Sequence, residues 1–526
     1  MSERHVLIIG GGLAGLATGC YARASGFRTT IVEHSLAFGG VCTAWSRGPY
    51  TIDGCIQWLT GGVFDRIYEE LGILPRVSRK TIERFLTYRD ARDGTELTIS
   101  RDLEATARSF RELAPEDGDE IQRLLAGAER IVGMSPPFDR PAELASVGDQ
   151  LAGFWGMRHE LGTILHFRKP LAEWSTEHLK SERLRRIFSR MVPEEAPTLL
   201  LLMILGYLKH GYLSRPIGGT ARFRDALVDS YFQLGGEALV HSTVDEVLID
   251  ADRVCGVRLA DGTIIDADIV VSTASMPETV LRLLGGRYGA EQARARLARW
   301  KTFQPIVLAS YGIALPLADV PPSLLIDHVE PLRVGTVSTE HLSVRVYNDE
   351  ASFAPPGHTV IQTTLASSYD YWAKTGLRYR AEKDAVGAAA LERLDRYLPG
   401  VQAAVRVSDV ATPLTFWHTA RSWKGAYEGW LPTSEAMLGH VKKTLPGLAG
   451  FYMAGQWVEP GGGVPTALMS GRQVTQLICA DERRPFVVPV SGNSAESKSS
   501  ARQTAGVTAT APATEGSVRA TSVPPD

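Results

Sequence analysis

Gly10-Gly11-Gly12-Leu13-Ala14-Gly15 stands between the apolar run His5-Val6-Leu7-Ile8-Ile9 and an Ala- and Leu-rich stretch that extends to Ala24. An apolar run ending in glycine predicts a buried strand, the Ala/Leu stretch a helix, and the β-branched Thr29-Thr30-Ile31-Val32 a second strand. The three read as one βαβ unit whose turn is a G-x-G-x-x-G. Gly10 permits the sharp reversal, Gly12 lets backbone approach a pyrophosphate, and Gly15 lets the helix pack closely on the sheet. Leu13 and Ala14 open the helix, so their N–H groups belong to the end that attracts an anion. Glu33 closes the second strand 23 residues after Gly10, where a carboxylate suits a ribose diol. The pattern predicts a dinucleotide site.

Around this unit lies a chain of 526 residues, 44% hydrophobic and 22% charged, long enough for two or three domains. Its 56 Lys and Arg nearly balance 59 Asp and Glu, with no long charge block before residue 490, which argues against nucleic-acid binding. The five cysteines form no CxxC pair and no Cys/His ligand cluster, so no metal site and no disulfide framework is expected, and the thiols fit a reducing cytoplasm. The N-terminus has no h-region followed by a small-residue cleavage site, so no secretory signal is read. Leu199 to Leu208 is the longest apolar stretch, about half of what a spanning helix needs. It suits a buried helix first, with a helix lying on the inner face of a membrane as a transient, peripheral contact for the second reading.

Farther along, residues 96–210 carry helical patterning with proline breaks and read as a helical cap. Short strands follow from Ala238 to Ile265, with Asp261-Gly262 as a hairpin turn. Strand-like runs recur at 305–314, 343–347 and 359–365. In the last 36 residues, 25 are Ser, Thr, Ala, Gly or Pro, a composition expected to be disordered.

Two more glycine loops carry chemistry. After Glu33 comes Gly39-Gly40-Val41, then Asp53-Gly54-Cys55-Ile56-Gln57-Trp58. Near the other end, a strand ends at Gly455-Gln456, and Pro460-Gly461-Gly462-Gly463-Val464-Pro465 leads into a helix expected over Thr466 to Ala480; Pro465 suits its first turn, and the three glycines leave backbone N–H groups open to a ligand.

These loops, with Gly218-Gly219 and the Gly235-Gly236 to Val244 segment, resemble the phytoene desaturase family in its broad sense, which includes carotenoid isomerases and retinol saturase. The resemblance covers roughly residues 5–62, 210–284 and 410–480. It implies an α/β fold: a doubly wound, Rossmann-type FAD domain of the glutathione-reductase and amine-oxidase kind, with an inserted mixed-sheet substrate domain and a helical cap. The expected division is 1–95, 211–284 and 411–485 for the FAD domain, 96–210 for the cap, 285–410 for the substrate sheet and 486–526 for the tail. FAD is the implied cofactor, held by Gly10, Gly12, Leu13, Ala14, Gly15 and Glu33, by Gly39, Gly40 and Val41, by Val244, and by Gly455, Gln456, Gly463 and Val464. Val41 stands where many members carry Arg, Gln57 where one branch has His, and Gln456 where the wider superfamily has Asp.

Glu459 and Gln57 are the side chains that the resemblance puts near the flavin. Trp417, Tyr427 and Trp430 belong to an aromatic stretch similar to the family's substrate side, and Trp58, which follows Asp53-Gly54 beside Gln57, is the fourth residue expected to line the substrate. The implied reaction is FAD-dependent redox chemistry on C–C bonds of an apolar, conjugated molecule: desaturation, saturation or redox-dependent cis-trans isomerisation. With one dinucleotide fingerprint in the chain, the electron acceptor stays open. An amine-oxidase-like flavoenzyme and a non-enzymatic lipid-binding escort are the alternative readings.

Overall fold

His5–Ile9 is the middle strand of a five-stranded parallel sheet in the spatial order Glu237–Leu239, Arg28–Val32, His5–Ile9, Ile269–Ser272, Phe451–Met453. The structure, a computed structural model, describes residues 3–490 except 75, 134–139, 147, 150–154 and 156–157. The tail from Ser491 onward, expected to be disordered, lies outside the described residues. All five residues of the central strand are buried because both faces are covered. Val6 and Ile8 enter one core with the helices Leu13–Ala24, Gly219–Gln233 and Val464–Asp481, while Leu7 and Ile9 enter another beneath the antiparallel meander Val244–Asp250, Arg253–Leu259, Ile264–Asp266. The period of two along a strand separates them. This is the Rossmann-type domain the glycine turn implied, and three distant parts of the chain build it.

A second sheet of seven strands runs Val405–Ala411, Ile306–Ile313, Thr359–Ala366, Val337–Val346, Ser323–Val334, Arg84–Asp90, Glu96–Ser100. It is mixed, because Ser323–Val334 pairs parallel with Arg84–Asp90 while the other pairs are antiparallel. Here the sequence reading is corrected at one boundary: residues 84–100 are a hairpin of this sheet, so the helical region begins at Leu103 and not at 96. Leu97 and Ile99 alternate inward against Glu96, Thr98 and Ser100, a strand pattern masked by the surrounding charge.

The cap is helical, as expected, from Leu103–Leu113 through Gly118–Ile131, Leu161–Phe167, Leu171–His178 and Glu182–Met191 to Leu199–Lys209. The last of these is the apolar run, and it is a core helix. Leu201, Leu202, Leu205 and Leu208 are fully buried, and Gly127 and Gly206 let it cross Gly118–Ile131 so closely that a Cβ at Gly206 would lie 2.3 Å from the Ala128 carbonyl oxygen. Leu199, Leu200 and Met203 of the same helix are only partly buried. No helix among the described residues is long and apolar enough to cross a membrane.

Candidate active site

Gly10 has φ +100, a left-handed conformation that favours glycine, and its N–H donates to the Val32 carbonyl, tying the turn to the neighbouring strand. A Cβ on Gly15 would sit 2.0 Å from the Gly10 carbonyl oxygen, so that glycine exists to bring helix against turn. Gly12 is different. Its backbone is extended, and the nearest atoms to an added Cβ are Gly39 O at 3.9 Å and Gly40 Cα at 4.0 Å. The space beside it is a groove between two glycine loops, Gly10–Gly12 and Gly39–Val41, joined by the Gly39 N–H donating to the Gly11 carbonyl at 2.9 Å. The helix that starts at Leu13 has no side-chain cap and no acidic residue in its first turn, which leaves its N–H groups directed at that groove.

Glu33 is buried at the end of its strand and accepts hydrogen bonds from the Gly11 N–H at 2.6 Å and the Ser35 N–H at 2.7 Å. Burial raises its pKa and those two bonds oppose the rise. From the other end of the chain, Gly455 (φ +104) lies 3.7 Å, measured from its would-be Cβ, from the Ala14 methyl, and Gly471 lets Val464–Asp481 cross the first helix with backbone close to Ala14 and Thr18. Gly463 caps that helix, again without a side-chain cap or first-turn acid, so this helix N-terminus too is open. An extended dinucleotide fits these residues: a groove that one Cβ would fill for the diphosphate, a buried carboxylate for a ribose, and an open helix end for the anionic edge of a reduced ring.

The matched family model, flavin containing amine oxidoreductase, covers residues 13–479. The chain belongs to this family. Among its relatives, the lycopene-forming phytoene desaturase of Pseudescherichia vulneris is 22% identical over 511 residues, 91% of this chain and 99% of that one. The chloroplastic prolycopene isomerase of Arabidopsis thaliana is 28% identical over 297 residues, 55% of this chain and 49% of its own. Among solved structures, a putrescine oxidase redesigned in its cofactor binding superposes with TM-score 0.60 at 14% identity, covering 91% of this chain and 99% of that one. The protein is thus an FAD-dependent oxidoreductase of this family.

The remaining sequence-derived residues divide. Val41 and Gln456 are half-buried at the cleft, and the Gln456 amide donates to the Tyr427 carbonyl at 2.9 Å. Val464 is buried in the first turn of its helix. Val244 is buried beside the sheet with its carbonyl accepting from Arg282 at 3.0 Å. Gln57 is half-buried and its carbonyl accepts from Arg215 at 3.3 Å. Trp58 is 39% exposed, edge-on to Phe85. Tyr427 packs on Phe303, and Trp417 lies near Tyr369 with Arg421 over its ring.

Two expectations are corrected. Trp430 is 0% exposed, enclosed by Trp300 and Trp457, with its indole N–H donating to the Trp457 carbonyl at 3.1 Å, so it has no free face for a substrate. Glu459 is 2.8 Å from the ammonium of Lys443, a side chain 2% exposed. A carboxylate that neutralises a buried cation is committed to that pairing.

The carboxyl group that sequence reading passed over is Glu428. It sits between Tyr427 and Gly429 on a segment that packs against the Gly461–Gly463 loop, where a Cβ on Gly462 would meet the Glu428 carbonyl oxygen at 2.4 Å. Among the described residues no hydrogen bond or ion pair holds its carboxyl. Burial pushes its pKa up to about 7. A lone acid inside a glycine and aromatic run was the available signal. Asp53, also buried, accepts from the Thr220 N–H at 2.8 Å and from its hydroxyl, and so joins the second glycine loop to the start of the Gly219–Gln233 helix.

Proposed function

We propose that the protein moves a hydride between FAD and a C–C bond of an apolar, conjugated polyene, with Glu428 handling the accompanying proton. The observation that carries the substrate class is the alignment, along 99% of its length, with a relative named phytoene desaturase. The amine reading has the fold likeness to putrescine oxidase behind it, at 14% identity, and nothing in the lining that selects an amine.

When bound, FAD supplies the two-electron exchange with carbon. The protein's part is to hold the nucleotide through the Gly12 groove and Glu33, to keep water from the ring with the half-buried Tyr427 and Gln456, and to place the polyene along Trp58, Trp417 and Tyr427 by stacking and apolar burial. Removing or adding a hydride at one carbon leaves a proton to be taken from or given to its neighbour. Glu428, with a pKa close to 7, is suited to either direction. Val244, Gly455, Gly463 and Val464 complete the proposed cofactor contacts, with Gln57 beside them. The membrane surface and the electron acceptor remain assignments of the same proposal: a peripheral encounter to collect the polyene, and a non-nicotinamide acceptor or oxygen.

The test is incubation of FAD-loaded protein with phytoene and with more unsaturated polyenes in detergent micelles, under aerobic, anaerobic and pre-reduced conditions, followed by chromatography with absorbance detection. New polyene bands or changed cis-trans ratios support the proposal. Unchanged polyenes together with peroxide release from putrescine would replace it with the amine reading.

A further inference from the structure

Outside the flavin domain, three helices of the cap bring two imidazoles and a carboxylate together. Glu120 lies in the first turn of Gly118–Ile131, His166 in the last turn of Leu161–Phe167, and His178 ends Leu171–His178. One ligand atom from each lies within 4.8 Å of the others. Glu120 is 6% exposed; one of its oxygens is 2.7 Å from His166 Nε2 and the other accepts from Arg123 at 2.9 Å. The His166 and His178 rings are 4.7 Å apart, and His178 stacks on the buried Trp174. Among the described residues, no hydrogen bond engages the His178 ring, whose nearest charged neighbour is Glu177 at 3.9 Å. Both imidazoles are about a third exposed, at 30% and 31%, so a water can reach the group.

The geometry points to a divalent metal site, with Zn2+ as its fitting ion, formed by Glu120, His166 and His178 and completed by solvent. Two neutral imidazoles and one carboxylate are a zinc donor set, and tetrahedral bonds of about 2.0–2.1 Å need ligand atoms about 3.4 Å apart. The separations found require side-chain rotation of about 1 Å, with the Glu120–His166 hydrogen bond giving way to two metal bonds. The ligands come from two consecutive helices, Leu161–Phe167 and Leu171–His178, and from Gly118–Ile131 upstream, so the ion ties these parts of the cap together; it is structural, and it is separate from flavin chemistry. The sequence did not signal it, because the three residues share no short spacing and no cysteine takes part.

The experiment uses the full chain loaded with FAD, stripped of metal by a chelator and titrated with Zn2+ against a chromophoric competitor, with Co2+ visible absorption reporting geometry. Expected is one Zn2+ per chain, bound tighter than about 10 μM, with tetrahedral Co2+ bands and a melting temperature that rises with added Zn2+. His178→Ala, at a partly exposed ring, should weaken binding at least about tenfold and abolish the thermal shift, while His178→Cys, which retains a zinc ligand, should restore both. Failure of the wild type to bind Zn2+ at about 100 μM, or binding unchanged in His178→Ala, would overturn the site and leave a hydrogen-bonded His–Glu clasp.

Discussion

One added methyl group, placed at two glycines three residues apart, should separate what the turn does for the fold from what it does for the cofactor. At Gly15 the new Cβ falls 2.0 Å from the Gly10 carbonyl oxygen, 3.2 Å from its carbon and 3.3 Å from Ile8 Cγ2. Backbone must move by about 1 Å to relieve this, and overpacking of that kind costs about 1–3 kcal/mol, partly offset by up to about 1 kcal/mol of helix propensity. The net loss for Gly15→Ala is therefore about 1–2 kcal/mol, a melting temperature lower by a few degrees. At Gly12 the same methyl meets nothing closer than 3.9 Å and the backbone is extended, so apoprotein stability should stay within about 0.5 kcal/mol. What the methyl occupies there is the diphosphate groove, and FAD affinity should fall at least about a hundredfold. The assays are flavin-to-protein absorbance ratio and thermal melts of apoprotein with and without added FAD. Wild type should melt higher with FAD, whereas Gly12→Ala should melt like wild-type apoprotein and ignore FAD. If Gly12→Ala keeps full flavin, or if its apoprotein is destabilised as much as Gly15→Ala, the assignment of the groove is wrong.

Other outcomes follow from the same structure. Glu428 is neutral in the folded state up to about pH 7 but ionises near its ordinary range when unfolded, so the folded state binds the extra proton between them. Stability should thus fall as pH rises from about 4.5 to about 7, by roughly 2 kcal/mol after allowance for partial exposure, and Glu428→Gln should flatten that slope and slow turnover by about tenfold to a hundredfold. Glu459→Gln should instead leave turnover within about twofold while costing up to about 3 kcal/mol of stability through the buried Lys443, read in urea melts. Glu33→Gln places an amide against two backbone N–H donors; FAD titration should show weaker binding, with about 1–3 kcal/mol lost. Leu205→Ala, in the buried cap helix, should cost about 2–5 kcal/mol in melts without changing flotation on anionic vesicles.

The parts legible in the sequence were those governed by local rules. The glycine turn, its flanking strand and helix and Glu33 are each defined by neighbours a few residues away, and each takes the expected form, while the last helix starts at Val464, two residues before the expected Thr466. The 84–100 hairpin was hidden because its alternation is short and interrupted by arginines, and only pairing with the distant Ser323–Val334 strand makes it part of a sheet. Trp430 and Glu459 were misplaced for a related reason. An aromatic or an acid near a glycine loop can face the cleft or turn away from it, and the partners that decided, Trp300, Trp457 and Lys443, lie at positions the local pattern does not reach. Glu428, between the Tyr427 and Trp430 that drew attention, has chemical meaning only through its lack of a partner, a property of the fold.

The five-stranded sheet draws its edge strand from Phe451–Met453, and the helix that crosses the glycine turn ends at Asp481. A ribosome that has just made the turn has some 460 residues still to add before that crossing can form. At about 5–20 residues per second this is a wait of roughly half a minute or more. During that interval Gly10–Gly15 has neither Gly455 nor the second helix end beside it. Completion of the cofactor site therefore waits on the segment that is made last.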